Sequence, residues 1–90
     1  MHAVVTKATI HDLEQARKFL NEEGIPRISQ APGFVAGNWV SLDESNGTGM
    51  VIFESEEAAQ AAAERIKTNP PAGDAVTINS IEIGEVVGHA

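Results

Sequence analysis

Two runs rich in β-branched and aromatic side chains dominate the chain. They read Phe34-Val35-Ala36-Gly37-Asn38-Trp39-Val40-Ser41-Leu42 and Met50-Val51-Ile52-Phe53, and they flank Asp43-Glu44-Ser45-Asn46-Gly47-Thr48-Gly49. Such a pattern is a β-hairpin. Asn46-Gly47 is the favoured pair for a type I′ tip, because both central residues of that turn need positive φ. With that tip, Leu42 lies opposite Val51 and Val40 opposite Phe53. One face then carries Phe34, Ala36, Asn38, Val40, Leu42, Val51 and Phe53. The other carries Val35, Trp39, Ser41, Met50 and Ile52. Both faces are largely apolar, so both need cover.

The flanking segments supply cover for one of them. Ser55 is a good N-cap, with Glu56 and Glu57 placed where a helix dipole is positive. Ala58, Ala59, Ala62, Ala63 and Ile66 then recur at helical spacing and make an apolar stripe of mostly small residues. Such a stripe can lie close to a sheet or leave room beside it. Upstream, residues 4–10 read as a strand with one drier side, Val4, Thr6, Ala8 and Ile10. Asp12 is placed to cap a helix with Leu13, Ala16, Leu20 and Gly24 on one face and Glu14, Arg17, Lys18, Asn21 and Glu22 mostly outward. Gly24 and Pro26 predict an end or loosening of that helix, followed by a short helical turn through Ser29. Residues 68–74 are a loop. The last strand spans residues 75–87, and its pattern changes phase: Val76 and Ile78 share a side, while Ile81 and Ile83 lie on the other. A β-bulge near Asn79-Ser80 would bring all four together.

Composition narrows the function classes. Ninety residues predict one domain, residues 1–90. There is no Cys, hence no disulfide and no thiolate metal site. The N-terminus lacks the pattern of a signal peptide, and no apolar run approaches the roughly 20 residues of a membrane span. A cytoplasmic protein is the expectation. Thirteen acidic and six basic side chains give a net charge of −7, which argues against a nucleic-acid partner.

The order strand, helix, strand, strand, helix, strand predicts an α+β, ferredoxin-like βαββαβ fold, with a four-stranded antiparallel sheet and both helices on one face. Two helices leave the other face bare. Its apolar residues, including either Trp39 or Phe34, would form a patch that soluble monomers rarely expose. A second copy of the sheet is the simplest cover, so a homodimer is expected.

Three segments carry a family resemblance: Pro32-Gly33-Phe34 opening a strand, Gly37-Asn38-Trp39 within it, and Val51-Ile52-Phe53-Glu54-Ser55-Glu56-Glu57-Ala58 running into a helix. Together they resemble the dimeric α/β-barrel superfamily, and within it the antibiotic biosynthesis monooxygenase domains. The resemblance implies two ferredoxin-like sheets facing each other as a dimeric barrel, with a cleft between helices and sheet in each protomer. In that family some members oxidise polycyclic aromatics without metal or flavin, and some degrade haem. The haem-degrading members resemble one another through an Asn on the first strand with a Trp and a His further along. Here the first strand offers Thr6, Lys7 and Thr9, and His2, His11 and His89 all lie away from the second helix. No cofactor and no metal are therefore expected.

Four residues are candidates for a ligand site. Asn38 is the one polar residue on the more apolar hairpin face. Its amide either satisfies a structural hydrogen bond, as buried polar groups do, or addresses a bound carbonyl or phenol. Trp39, the only Trp, suits core packing or ligand contact. His11 is of the side-chain type that changes charge near neutral pH. Arg27, next to Pro26, is placed either to meet an anionic ligand or to pair with a surface carboxylate. No nucleophile–base pattern, phosphate-binding glycine loop or paired-carboxylate site stands out. The residues leave open two functions: a cofactor-free monooxygenase acting on a small aromatic molecule, and a non-catalytic ligand-binding or assembly module.

Overall fold

The computed structural model describes residues 1–90. Four strands, β1 (His2–Ile10), β2 (Phe34–Ser41), β3 (Asn46–Phe53) and β4 (Val76–Glu85), form one antiparallel sheet in the order β2-β3-β1-β4. Between β1 and β2 run α1 (Leu13–Phe19), a π-helical turn (Leu20–Gly24) and α2 (Ile25–Ile28). Between β3 and β4 runs α3 (Glu56–Thr68). This is the ferredoxin-like βαββαβ arrangement expected from the element order.

Both helical layers lie on the same face. Val4 packs with Ala59, Ala62, Ala63 and Ile66 of α3, and Ile10 packs with Ala16 and Leu13 of α1. Val4 and Ile10 are an even number of residues apart on β1, so they point the same way. The stripe of α3 sits tight on the sheet, with Ala59, Ala62, Ala63 and Ile66 buried and Ala58 half-buried at its start. The caps are as expected: Asp12 Oδ1 accepts from Gln15 N at 3.0 Å, and Ser55 Oγ accepts from Ala58 N at 3.1 Å.

The bulge expected in β4 is present. Lys7 pairs with Ser80 and Ala8 with Ile78, which leaves Asn79 as the extra residue. Val76, Ile78, Ile81 and Ile83 are thereby opposite Ile10, Ala8, Thr6 and Val4 on the helix-covered face.

The hairpin departs from its expected form. Asn46 and Gly47 belong to β3, and the only positive φ angles are at Gly33 and Gly73. The tip is residues 43–45, closed by Leu42 N donating to Asn46 O at 2.8 Å. Asp43 builds it: its Oδ1 accepts from the backbone N–H of Ser45 and of Asn46, each at 2.8 Å. An aspartate that satisfies two backbone donors outweighs the Asn-Gly preference. Val40 consequently pairs with Thr48 and Trp39 with Gly49. A second bulge, at Val35, resets the alternation. Trp39 therefore shares the helix-covered face with Val51 and Phe53. Phe34 is on that face too, edge-on to Phe53 with ring centroids 6.2 Å apart. Neither aromatic is on the open face, where Val35, Val40 and Met50 stand instead.

The first helix is not broken at Gly24. It passes through the π turn, in which Ile25 N donates to Leu20 O, and continues into α2. Pro26 has no N–H to donate to the preceding turn, and the wider turn accommodates it. Gly24 is buried against the loop after α3, where a Cβ would collide with the carbonyl oxygen of Pro71. Its role is a close approach of two backbones, not a stop.

Candidate functional site: a cleft between the first helix and the sheet

A cleft of about 490 Å³ lies between the α1–α2 layer and the sheet. It exists because its floor is made of small residues. Ala8 on β1, Gly37 on β2, and Gly47 and Gly49 on β3 face a helix whose contribution is Leu13, Ala16, Leu20 and Ile25. A pocket of this kind, mostly apolar with a few polar groups, is the usual form of a small-molecule site.

Trp39 forms one wall. Its indole lies over two glycines: a Cβ at Gly37 would stand 2.8 Å from Trp39 Cη2, and one at Gly49 would stand 2.9 Å from Cδ1. The Gly49 position is also 2.9 Å from Thr6 Oγ1 and 3.2 Å from Trp39 Nε1. Two hydrogen-bond donors thus flank the same bare patch of backbone, and both residues border the cleft. Neither group is engaged by another side chain.

The helix contributes polar groups that its pattern placed outward. Arg17 and Asn21 both border the cleft at its open side, one helical turn apart. Asn21 Nδ2 donates to Arg17 O at 2.8 Å, which pins the amide to the helix. Arg17 is the only ionisable residue among those lining the cleft. The one clearly displaced carboxyl in the protein, Asp43, is in the hairpin tip. Its pKa is held below the ordinary 3.8 chiefly by the Ser45 backbone N–H, then by the Asn46 side-chain amide. No cluster of His, Cys, Asp and Glu side chains is arranged to hold a metal ion.

Of the four sequence candidates, only Trp39 stands within the cleft. Asn38 borders its rim along edge strand β2, but it pairs with Met50 and is exposed, so its register is that of the open face and no buried amide exists to be satisfied. His11 is exposed outside the cleft, with Nε2 and Thr77 Oγ1 hydrogen-bonded at 2.6 Å. Arg27 donates to the carbonyls of Asn69 and Pro70 at 3.1 and 3.2 Å, beside a separate pocket of about 170 Å³. It meets neither a carboxylate nor the cleft. Sequence reasoning missed Thr6, Arg17, Gly37 and Gly49. The glycines carried a signal, since two glycines inside strands mark a close approach.

No protein-family model and no curated protein matches the chain in sequence. Solved structures match in fold. SnoaB, a cofactor-independent oxygenase from Streptomyces nogalater, superposes with a TM-score of 0.72 at 13% identity, over 98% of this chain and 94% of its own. A dimeric ferredoxin-like protein from an uncultured marine organism gives 0.59 at 17%, over 100% and 98%. The heme-degrader MhuD from Mycobacterium tuberculosis, solved with two hemes bound in its active site, gives 0.51 at 23%, over 97% and 98%. With the β2-β3-β1-β4 order and both helical layers on one side, these superpositions show that the chain has the ferredoxin-like βαββαβ fold that SnoaB, the marine protein and MhuD share.

Proposed function

We propose that the protein is a homodimer that binds a small, flat aromatic molecule in the helix–sheet cleft of each protomer and oxygenates it without a cofactor. The observation that carries the reading is the open cleft walled by Trp39 over Gly37 and Gly49. An indole edge and apolar helix residues suit a planar ring, and Thr6 Oγ1–H with Trp39 Nε1–H suits an oxygen on it. In a cofactor-free oxygenation the substrate's own enolate passes electrons to O₂. One oxygen atom becomes a ring carbonyl and the other leaves as water. The protein's part is to hold the ring, exclude water and stabilise the enolate oxygen with fixed donors. The likeness to SnoaB supports this chemistry. Haem is a poor fit, since no histidine borders the cleft to ligate its iron.

The dimer rests on the open face. Val35, Val40, Leu42 and Met50 are 44%, 49%, 69% and 44% exposed there, an apolar surface that a second sheet would cover. No helix is long and apolar enough to cross a membrane. A cytoplasmic location remains part of the proposal.

One observation favours a second reading, a non-catalytic ligand-binding dimer. No carboxylate or imidazole borders the cleft to take the proton that enolate formation releases. Oxygen uptake separates the two readings. Purified protein with anthrone, a tricyclic whose methylene is readily enolised, should consume one O₂ per carbonyl formed. That uptake should fall to background in Trp39→Ala. Binding of anthrone without enzyme-dependent uptake would establish the second reading and overturn the first.

A further inference from the structure

The charges of the protein are distributed unevenly with respect to the cleft. Thirteen carboxylates and six cations give the chain a net charge of −7. None of the thirteen carboxylates borders the cleft, whereas one of the six cations, Arg17, does. The only ion pair in the protein joins Lys67 to Glu64 on α3, so Arg17 is not neutralised by a carboxylate. Asn21, the neighbouring polar side chain, is tied to the Arg17 carbonyl and offers no competing charge. From these facts we infer that the ligand of the cleft is an aromatic acid, seated with its ring against Trp39 and its carboxylate beside the Arg17 guanidinium at the mouth. This inference rests on the cleft being the ligand site.

The chemistry supports that orientation. Thr6 Oγ1 and Trp39 Nε1 lie deep, against the sheet, and suit a neutral or developing oxygen of the ring. Arg17 lies on the helix at the exposed side, where a permanent charge keeps part of its hydration. A guanidinium offers a planar fork that matches a carboxylate with two parallel N–H···O bonds. The overall negative charge opposes an incoming anion only weakly. None of those carboxylates borders the cleft; Glu14, one turn from Arg17 on α1, makes no ion pair with it, and charges more than about 8 Å away are largely screened at physiological salt. Arg17 acts at contact.

Two ligands of the same shape test the inference, naphthalene-2-carboxylate and the neutral naphthalene-2-carboxamide. Binding is followed by calorimetry and by the indole N–H resonance of Trp39, the single Trp of the chain. The wild type should bind the carboxylate about tenfold more tightly than the amide, the value of a charge-assisted bond discounted for exposure. Arg17→Gln should abolish that preference while leaving the amide affinity within about twofold, which also shows that the variant is folded. Arg17→Lys should keep part of the preference. If the wild type binds both ligands equally, or if the preference survives in Arg17→Gln, the inference is overturned and the cleft reading stands. If neither ligand moves the indole resonance, the cleft reading itself is overturned.

Discussion

Trp39 lies where a side chain at Gly49 would have to be, across the pair of strands that carry them. A Cβ at Gly49 would stand 2.9 Å from Trp39 Cδ1 and 3.2 Å from Nε1. The cleft wall and the bare backbone of β3 are therefore one feature. Gly49→Ala forces the indole to move and should destabilise the protein by about 1–3 kcal/mol, the usual cost of overpacking. Denaturant unfolding at one fixed protein concentration measures it. A displaced indole N–H resonance should accompany the loss. An alanine variant as stable as wild type with an unmoved resonance would show that the wall does not depend on Gly49.

Gly24 gives a second test, with a sign that helix propensity gets wrong. Within a helix, Gly→Ala should stabilise by about 1 kcal/mol. Here the Cβ would run into the backbone carbonyl of Pro71, which cannot rotate away as a side chain can. Gly24→Ala should cost about 2–4 kcal/mol, at the large end for point changes because two backbones have to separate. Thermal or denaturant unfolding decides it, and a gain in stability would contradict the close approach.

These two glycines also show where the sequence was legible and where it was not. The β4 bulge was legible because Val76 and Ile78 are out of phase with Ile81 and Ile83, and only an extra residue reconciles them. The bulge at Val35 left no such mark. Phe34, Val35 and Ala36 are all apolar, so a slip in alternation changes no residue class, and Trp39 and Asn38 exchanged faces unannounced. The hairpin tip was misplaced because Asn46-Gly47 is a strong local signal, whereas the Asp43 carboxylate acts through two backbone donors that pattern alone does not reveal. The element order, both caps and the alanine stripe were legible because each rests on local spacing. The cleft was implied by the family resemblance alone, and its lining was not legible, since it is defined by what Gly37, Gly47 and Gly49 lack.

Asp43 links the hairpin tip to pH. Its carboxyl is held below 3.8 by the Ser45 N–H and the Asn46 amide, so the folded tip prefers the anion. The stability this contributes is present above pH 3.8 and is lost as pH falls through the lower folded-state value. Asp43→Asn should show a smaller loss of stability between neutral pH and about pH 2 than wild type. An NMR titration in which the Asp43 carboxyl protonates at or above 3.8 would contradict the assignment.

The open sheet face predicts the assembly state. Light scattering after gel filtration should give about twice the 9.5 kDa chain mass. Val40→Asp places a charge among the exposed apolar residues and should return the single-chain mass with the fold intact by circular dichroism. A wild-type monomer at micromolar concentration, or a Val40→Asp variant that stays dimeric, would rule out pairing through this face.

The most direct measurement locates the ligand itself. Intermolecular nuclear Overhauser contacts are recorded between bound 2-naphthol and isotope-labelled protein. Ring protons should meet the Trp39 indole, the Ala8 methyl and the Leu13 methyls, which border the cleft from the sheet and the helix. Contacts to Val35 and Met50 on the open face instead, or none to Trp39 at saturating naphthol, would contradict ligand binding between the first helix and the sheet.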